Sequence, residues 1–244
     1  MKKTLLLFLL LPFFGFAQTA LVKWDAANSG NRFAPVPIGT INGSDLSATV
    51  TNVYTSNNAA NTFFKSSGWP TPLNKGGQYD LTKYVQFALG PKTGSKVNLS
   101  TFVFECKSPG SQKYTIKYSK QSDFSSGVFN LLTATSVSGD WIQYTLNFSE
   151  EINPVLPTEK VYVRIYAYYT DNEFQIRTGS ENIVPTINGE VLSFDATKIL
   201  AINDYVTTTK DVAVNINPLN NDVNKANVTT LVISTPPSAA EGTA

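Results

Sequence analysis

Apolar and polar residues alternate in short runs along most of this chain, and this period-two pattern constrains its fold more than any other feature. Successive side chains of a β-strand point to opposite faces, so each run presents one apolar face and one polar face. No long stretch with a helical period accompanies these runs. Such strands are typical of antiparallel sheets packed as a sandwich. The predicted core-facing sets are Val85, Phe87 and Leu89; Phe102, Phe104 and Cys106; Tyr114, Ile116 and Tyr118; Ile142, Tyr144, Leu146 and Phe148; Val161, Val163 and Ile165; and Phe174 and Ile176.

The same pattern predicts further elements on either side of these runs. Residues 21–24 predict a first strand, and residues 187–192 predict a closing strand. Alternation over residues 46–53 indicates another strand, and residues 129–135 indicate a hairpin-like stretch. Residues 55–77 are rich in Asn, Ser, Gly and Pro and therefore predict a mainly irregular loop.

The N-terminus has the features of a secretory signal peptide. A basic start at residues 1–3 precedes an almost unbroken apolar run over 4–16, and residues 15–17 supply the small–x–small step for cleavage. The run is shorter than the ~20 apolar residues of a membrane span, and a membrane anchor is the alternative. We therefore expect residues 1–17 to be removed and the mature chain, with no membrane span, to be secreted or held at the cell surface.

Charge and composition exclude several function classes. The formal net charge is +1, whereas nucleic-acid binding needs a concentrated basic face. The absence of histidine removes Ser-His-Asp and Cys-His nucleophile systems and His-ligated zinc. The single cysteine, Cys106, has no partner for an internal disulfide. We interpret Cys106 as a small buried hydrophobic residue, with a reactive thiol as the alternative.

The carboxylates do not form a hydrolase pattern. Glycoside hydrolases need two carboxyl groups at a fixed separation, and some sandwich folds place them at alternate positions of one strand. Glu150 and Glu151 are consecutive, so they point to opposite faces of any strand, and Glu105, Glu173 and Glu190 are isolated. We interpret these side chains as solvated charges and expect no enzymatic activity.

One set of aromatic and polar residues is the best candidate for a ligand site. Four of its members alternate with the core-facing residues Val161, Val163 and Ile165, and two lie on the analogous face of an earlier strand. Flat rings beside an Arg or Gln can stack on a sugar and hydrogen-bond its hydroxyl groups. The alternative is that loops cover the face and Arg164 packs on tyrosines structurally. The predicted ligand-binding residues are Trp141, Gln143, Tyr162, Arg164, Tyr166 and Tyr168.

A second pattern begins after a change of composition near residues 194–198. Residues 212–216 alternate, residues 218–222 predict a turn, and residues 231–233 predict another strand. The remaining chain is too short for a complete sandwich domain, which takes about 100 residues. We therefore predict that the chain is a fragment of a longer protein, cut inside its second domain.

Four segments resemble, in order, the strands of a jelly-roll module common in secreted multidomain proteins of the Bacteroidetes. The segments are residues 84–87, 97–100, 114–119 and 161–166. The similarity covers roughly residues 20–194 and lies in strand sequences rather than in a catalytic signature. It implies a jelly-roll-type antiparallel β-sandwich. The chain departs from the family at residues 120–124, where the family usually has an Asp-Gly-Phe turn.

Residues 203–207 and 212–222 resemble the opening of a bacterial cadherin-like or Ig-like repeat. This resemblance implies an extended surface protein with tandem repeats, and the end of the signal peptide is similar to those of many exported Bacteroidetes proteins. The predicted organisation is a signal peptide over 1–17, a jelly-roll sandwich over 18–195, a linker over 196–200 and a truncated Ig- or cadherin-like domain over 201–244.

Four polar residues of this second pattern are candidate calcium ligands. Calcium takes six to eight oxygen ligands, so a neighbouring module would have to supply the remainder. Asx turns explain the same residues without a metal, and no Asp-x-Asp-x-Asp-Gly loop is present. The candidates are Asn203, Asp204, Asn221 and Asp222, and no other cofactor is expected.

These observations predict a non-catalytic exported surface module for adhesion or carbohydrate binding within a longer multidomain protein. The expected partner is a glycan or a cell-surface protein, and nucleic acid is not expected. Two alternatives remain open. One is a structural spacer of a surface protein, and the other is an accessory domain of a polysaccharide-degrading enzyme whose catalytic part lies downstream.

Overall fold

The computed structural model describes residues 19–25, 35–55, 63–71, 78–108, 112–136, 138–169, 173–179, 183–210 and 212–232. The predicted signal peptide over 1–17 lies outside these residues. The described part contains thirteen β-strands and two single turns of 3-10 helix, Glu150–Ile152 and Lys225–Asn227. The strands are β1 Thr19–Lys23, β2 Val36–Pro37, β3 Ile41–Ala48, β4 Thr51–Thr55, β5 Phe63–Ser67, β6 Val85–Pro91, β7 Ser95–Lys107, β8 Lys113–Ser119, β9 Phe129–Ser136, β10 Ile142–Asn147, β11 Val161–Tyr168, β12 Phe174–Arg177 and β13 Thr186–Ser193.

The strands form two antiparallel sheets that pack face to face as a β-sandwich of the jelly-roll type. The large sheet has eight strands in the order β2-β1-β13-β7-β12-β5-β4, with β10 also paired to β7. The small sheet has five strands in the order β3-β6-β11-β8-β9. The predicted all-β sandwich is therefore confirmed. No helix among the described residues has the length and hydrophobicity that a membrane crossing requires.

The core lies between the sheets and includes most of the alternating residues that the sequence predicts, together with residues outside those sets such as Ile41 and Trp69. The predicted sets on β6, β7, β8, β11 and β12 are all buried in one apolar cluster. On β10 only part of the set faces inward, because Tyr144 and Leu146 pack against the cluster while Ile142 is exposed at the strand end. Cys106 is buried, and desolvation raises the pKa of its thiol to about 12, as expected for a structural cysteine.

The longest strand, β7, organises the large sheet. It pairs with β13 over one edge, with β10 over the other, and with β12 at its C-terminal end. A bulge between Asn188 and Gly189 leaves Ser100 of β7 without a directly opposed residue. Glycine is needed at this bulge because a Cβ at Gly189 would overlap the carbonyl oxygen of Asn98. The bulge adds one residue to β7 and so shifts its alternation. As a result Asn98, before the bulge, and Lys107, after it, both point outward.

Two local predictions differ from the structure. The alternating run over 46–53 is split into β3 and β4, because the chain bends at Thr49, whose N–H donates to the carbonyl of Tyr84. The loop expected over 55–77 contains β5, which pairs with β4 and β12. The sequence Phe-Phe-Lys-Ser-Ser has no period-two pattern, so its strand conformation depends on its two neighbours.

The chain after the sandwich, called here the C-terminal segment, is described over residues 196–210 and 212–232. Its described residues form no strand, only one antiparallel bridge between Leu200 and Val223. The strand predicted over 212–216 is therefore not formed, and residues 231–232 of the second predicted strand also lie outside any strand. The predicted turn is present, with the N–H of Asn220 donating to the carbonyl of Asn217. The Ig- or cadherin-like assignment stays a prediction.

Candidate functional site

The six predicted ligand-binding residues lie on two different surfaces. Those on β11 (Tyr162, Arg164, Tyr166 and Tyr168) belong to the small sheet and point away from the core, and we call this surface the tyrosine face. Gln143 lies on β10 and Trp141 directly precedes this strand, and both are on the outer side of the large sheet. The sheets pack through their inner faces, so the two groups point away from each other. The expectation that Trp141 lies beside the tyrosines is wrong.

Arg164 is a structural residue of the tyrosine face. Its side chain is only 7% exposed. The guanidinium donates from Nε to Oε1 of Gln86 at 2.8 Å and from Nη2 to the carbonyl of Ser122 at 2.6 Å. The ring centres of Tyr84 and Phe124 lie 3.8 Å and 4.1 Å from its Cζ atom. These contacts compensate for the desolvation of the charge and leave little of the guanidinium for a ligand.

The tyrosines next to Arg164 are covered as well. Tyr166 is fully buried, and its ring contacts Tyr79 and Tyr84 at centroid distances of 5.5 Å and 6.1 Å. Burial raises the pKa of the Tyr166 phenol, and the nearby Arg164 offsets part of the rise. Tyr79 also packs on Tyr168, which is buried. The structure therefore supports the alternative, in which neighbouring segments cover this face.

The turn that closes one side of this face is tightly hydrogen-bonded. The N–H of Phe124 donates to the carbonyl of Gln121, and Phe124 has a left-handed backbone with φ of 58°. The N–H of Ser125 donates to Asp123 at 3.0 Å, and this hydrogen bonding is the main reason that the pKa of Asp123 is lowered. Residues 120–124 thus form a turn that places Phe124 on Arg164.

A second aromatic surface lies on the outer side of the large sheet, around Trp141. Cζ of Arg177 lies 4.4 Å from the centre of the Trp141 ring, and Nζ of Lys107 lies 4.8 Å from it. Arg177 also pairs with Glu105, with 3.5 Å between Nε and Oε2. We call these residues, together with Gln143 and Gln175, the tryptophan patch.

The tryptophan patch presents hydrogen-bonding groups beside its ring. Gln143 is exposed and lies directly opposite Glu105 in the β7–β10 pairing. Gln175 lies opposite Lys107 in the β7–β12 pairing and donates from Nε2 to Glu173 at 3.0 Å. Its Oε1 atom is buried and has no hydrogen-bond partner in the described part of the protein. The patch thus combines a flat ring with both donors and acceptors.

Trp141 differs from the other two tryptophans of the chain. Trp24 and Trp69 are buried, and their indole N–H groups donate to the carbonyls of Ser44 and Ser66. Trp141 is only partly buried. A partly exposed indole fixed between strands by two cations is an arrangement suited to stacking against a flat apolar surface of a ligand.

The four calcium candidates come together in the C-terminal segment, where three of them take part in hydrogen bonds. The carboxylate of Asp222 accepts from the N–H of Ile202 at 2.7 Å, and Nδ2 of Asn221 donates to the carbonyl of Asn203 at 3.1 Å. Among the described residues, no group of three or more His, Cys, Asp and Glu is placed to hold a metal ion. Calcium binding by Asn203, Asp204, Asn221 and Asp222 stays a prediction.

The sequence analysis did not identify the residues that contact the Trp141 ring or those that cover the tyrosine face. Lys107 and Arg177 occupy the outward positions next to Cys106 and Ile176, so alternation alone would have placed them outside the core. Alternation could not show that Trp141 reaches both, because this depends on how β10, β7 and β12 are ordered. Likewise, Tyr79 and Phe124 lie in loops without a periodic signal.

The sequence matches no protein-family model and no curated protein. Several solved structures are similar in fold. A mutant of the family 29 carbohydrate-binding module CBM29-2 complexed with mannohexaose is 17% identical, covers 69% of this chain and 92% of its own, and has a TM-score of 0.38. A CBM4 structure is 14% identical, covers 66% and 84%, and has a TM-score of 0.32.

The CBM22-1 xylan-binding domain from Paenibacillus barcinonensis Xyn10C is 8% identical, covers 62% of this chain and 86% of its own, and has a TM-score of 0.35. Because these TM-scores are below 0.5, the similarity does not determine what this chain binds.

Proposed function

We propose that this chain is a non-catalytic carbohydrate-binding module that binds a glycan at the tryptophan patch. The observation that carries the proposal is the Trp141 ring, partly exposed on a sheet surface and held by Arg177 and Lys107. Sugar rings have one face lined by C–H groups, which stacks on an indole, and a rim of hydroxyl groups, which needs donors and acceptors. The patch supplies both kinds of contact.

The cations next to Trp141 have a physical role in this proposal. Both rise from strands of the same sheet, Lys107 from the end of β7 and Arg177 from the end of β12. They fix the orientation of the indole before the ligand arrives, which lowers the entropy cost of binding. The ion pair with Glu105 fixes Arg177 in turn. The exposed Gln143 is then available to the hydroxyl groups of the sugar.

The same contacts support a non-catalytic role. Glu105 pairs with Arg177, and Glu173 accepts from Gln175, so the carboxylates of the patch serve to orient other side chains. A glycosidase would need one carboxyl kept protonated and a second at a fixed distance across the bond.

We also propose that the module belongs to a larger exported protein. The predicted signal peptide and the resemblance to secreted Bacteroidetes modules support an exported surface protein with further domains, in which the module serves adhesion or substrate targeting. A spacer role is the competing function, and it is favoured by the closed, tightly packed tyrosine face.

Tryptophan fluorescence provides a direct test, because only Trp141 of the three tryptophans is accessible. Mannohexaose, cellulohexaose and xylan, the ligands named for the structural neighbours, form a first probe set within a wider glycan array. Binding should shift the emission of the wild-type protein. Trp141→Ala should weaken binding by roughly tenfold, which corresponds to about 1.4 kcal/mol, and leave the melting temperature nearly unchanged.

A matched control is Tyr169→Ala, since Tyr169 is also an exposed aromatic residue with a lysine, Lys113, near its ring but lies at the end of β11 in the small sheet. It should bind like the wild type. Arg164→Ala tests the tyrosine face and should lower stability while the folded fraction still binds. If binding survives Trp141→Ala and is lost in stable Arg164 or Tyr169 variants, the site is on the other sheet. If no glycan binds, the spacer role is favoured.

A further inference from the structure

A cleft lies at the opposite end of β7 from the tryptophan patch. It consists of two adjoining cavities of about 560 Å³ and about 200 Å³ that share Asn98, Glu150 and Asn153. The larger cavity extends to Ser100 and to Gly189–Val191 of β13, and the smaller one is closed by residues 200–203 and Tyr205 of the C-terminal segment. We call this the junction cleft. The larger cavity falls within the ~300–1,000 Å³ range of small-molecule sites.

Several polar side chains converge on the junction cleft without a partner in the described protein. The hydroxyl oxygen of Ser100 is buried and makes no hydrogen bond. Ser100 borders the larger cavity beside the bulge at Gly189, and its buried hydroxyl is not accessible to a ligand. Side chains that make no hydrogen bond or ion pair to described residues also include Lys96, Asn98, Glu150 and Glu190. Unpaired groups around a cavity of this size are characteristic of a ligand site.

The remaining shared residue has a structural role. Oδ1 of Asn153 accepts from the N–H of Leu99 at 2.7 Å, and its Nδ2 donates to the carbonyl of Leu99 at 3.0 Å. This double hydrogen bond fastens the segment after the 3-10 turn Glu150–Ile152 along β7. Glu150 is thereby held at the rim of the cleft, facing the row of Asn98 and Ser100.

The charges in the junction cleft indicate which ligand chemistry fits. Glu150 and Glu190 would repel an anion, while Lys96 would repel a cation. A neutral molecule with several hydroxyl groups satisfies all of them, because each hydroxyl both donates and accepts. Tyr205 adds an aromatic ring at the edge of the smaller cavity, and it is 49% exposed.

We propose that the junction cleft is a second carbohydrate subsite, formed jointly by the sandwich and the C-terminal segment. Asn98 and the two glutamates bind hydroxyl groups of a neutral sugar residue, and Tyr205 contacts its ring. The proposal rests on carbohydrate binding as the function of the chain but not on Trp141.

The position of the cleft has a consequence for ligand length. Lys107 and Asn98 both lie on β7, nine residues apart. At ~3.3 Å per residue this separation is ~30 Å. A polysaccharide long enough to span it would occupy both sites of one molecule and gain affinity through effective concentration, whereas a short oligosaccharide would fill each site independently.

Backbone NMR of the whole chain tests the two sites separately. Titration with glucose, mannose and xylose oligosaccharides, from disaccharide to hexasaccharide, should shift the indole N–H of Trp141 and, as a second group, the amides of Ser100 and Gly189. In Trp141→Ala the second group should still shift. In Asn98→Ala and in Tyr205→Ala the cleft shifts should need at least fivefold more sugar, while the Trp141 signal should respond normally.

Asn130→Ala is the matched control, because Asn130 is an exposed asparagine on β9 of the other sheet, and it should change neither group. Failure of the cleft amides to shift at millimolar sugar, while Trp141 responds, would overturn the second subsite and leave the proposed function intact. Cleft shifts that persist unchanged in both Asn98→Ala and Tyr205→Ala would overturn it as well. Cleft shifts without any response at Trp141 would support the subsite and contradict the tryptophan patch.

Discussion

The sandwich and the C-terminal segment contain the same kind of alternating sequence in opposite environments. On β11, Val163 and Ile165 are completely buried and paired on both sides. In the C-terminal segment, Val212, Val214 and Ile216 alternate equally regularly but are 55%, 43% and 52% exposed. Alternation therefore indicates a sequence that is able to form a strand. The strand itself forms only where neighbouring strands pair with its edges and another layer covers one of its faces.

The physical reason lies in what a strand gains from its neighbours. A lone extended segment pays the conformational entropy of ordering without ladder hydrogen bonds or apolar burial. β11 obtains both, from β6 and β8 along its edges and from the large sheet across the core. The described C-terminal segment instead has isolated contacts within itself, such as the bridge between Leu200 and Val223.

The largest expected difference between the two regions is their resistance to proteolysis. Residues 20–194 should fold alone, and residues 199–244 should not, because among the described residues only the first region buries its apolar faces. Limited proteolysis followed by mass spectrometry should trim the chain to near Asp195 and leave a stable sandwich. Equal resistance of both regions would show that the domain boundary or the predicted truncation is wrong.

A matched pair of substitutions measures the same contrast energetically. Val163→Ala removes two buried methyl groups and leaves a cavity, so the free energy of unfolding should fall by about 2 kcal/mol. Val214→Ala makes the same chemical change at an exposed position and should alter it by less than about 0.5 kcal/mol. Urea denaturation followed by circular dichroism gives both values. A loss at Val214 as large as that at Val163 would mean that the C-terminal segment is packed cooperatively with the sandwich.

The sequence predicts the buried core more accurately than the ligand surfaces. Core-facing sets such as Phe102 and Phe104 were predictable because burial imposes a strict period of two on each strand. The ligand surfaces were not, since alternation places Trp141 and Tyr166 outside the core without saying which sheet each belongs to or what covers it. Those answers depend on strand order and on loops, where contacts join residues far apart in sequence, as Arg164 and Gln86 show.

The effect expected from pH should belong to the sandwich alone. Desolvation raises the pKa of Cys106 to about 12 and raises the pKa of the adjacent Tyr114 as well. Above pH 9 the unfolded chain loses the thiol proton while the folded chain keeps it, so the free energy of unfolding should fall as pH rises. One group contributes at most about 1.4 kcal/mol per pH unit, and the loss from Cys106 should extend from pH 9 towards pH 12.

Urea denaturation at pH 8, 9 and 10 measures this slope. Cys106→Ala is the control, because without the thiol the free energy of unfolding should change less between pH 9 and 10. This expectation holds whatever the substitution does to stability at pH 8. The thiol of the folded wild type should also resist alkylation at pH 8. An unchanged slope in Cys106→Ala, or rapid alkylation of the native thiol, would show that the end of β7 opens readily. The contrast between a closed sandwich and an open C-terminal segment would then be smaller than the burial of Cys106 implies.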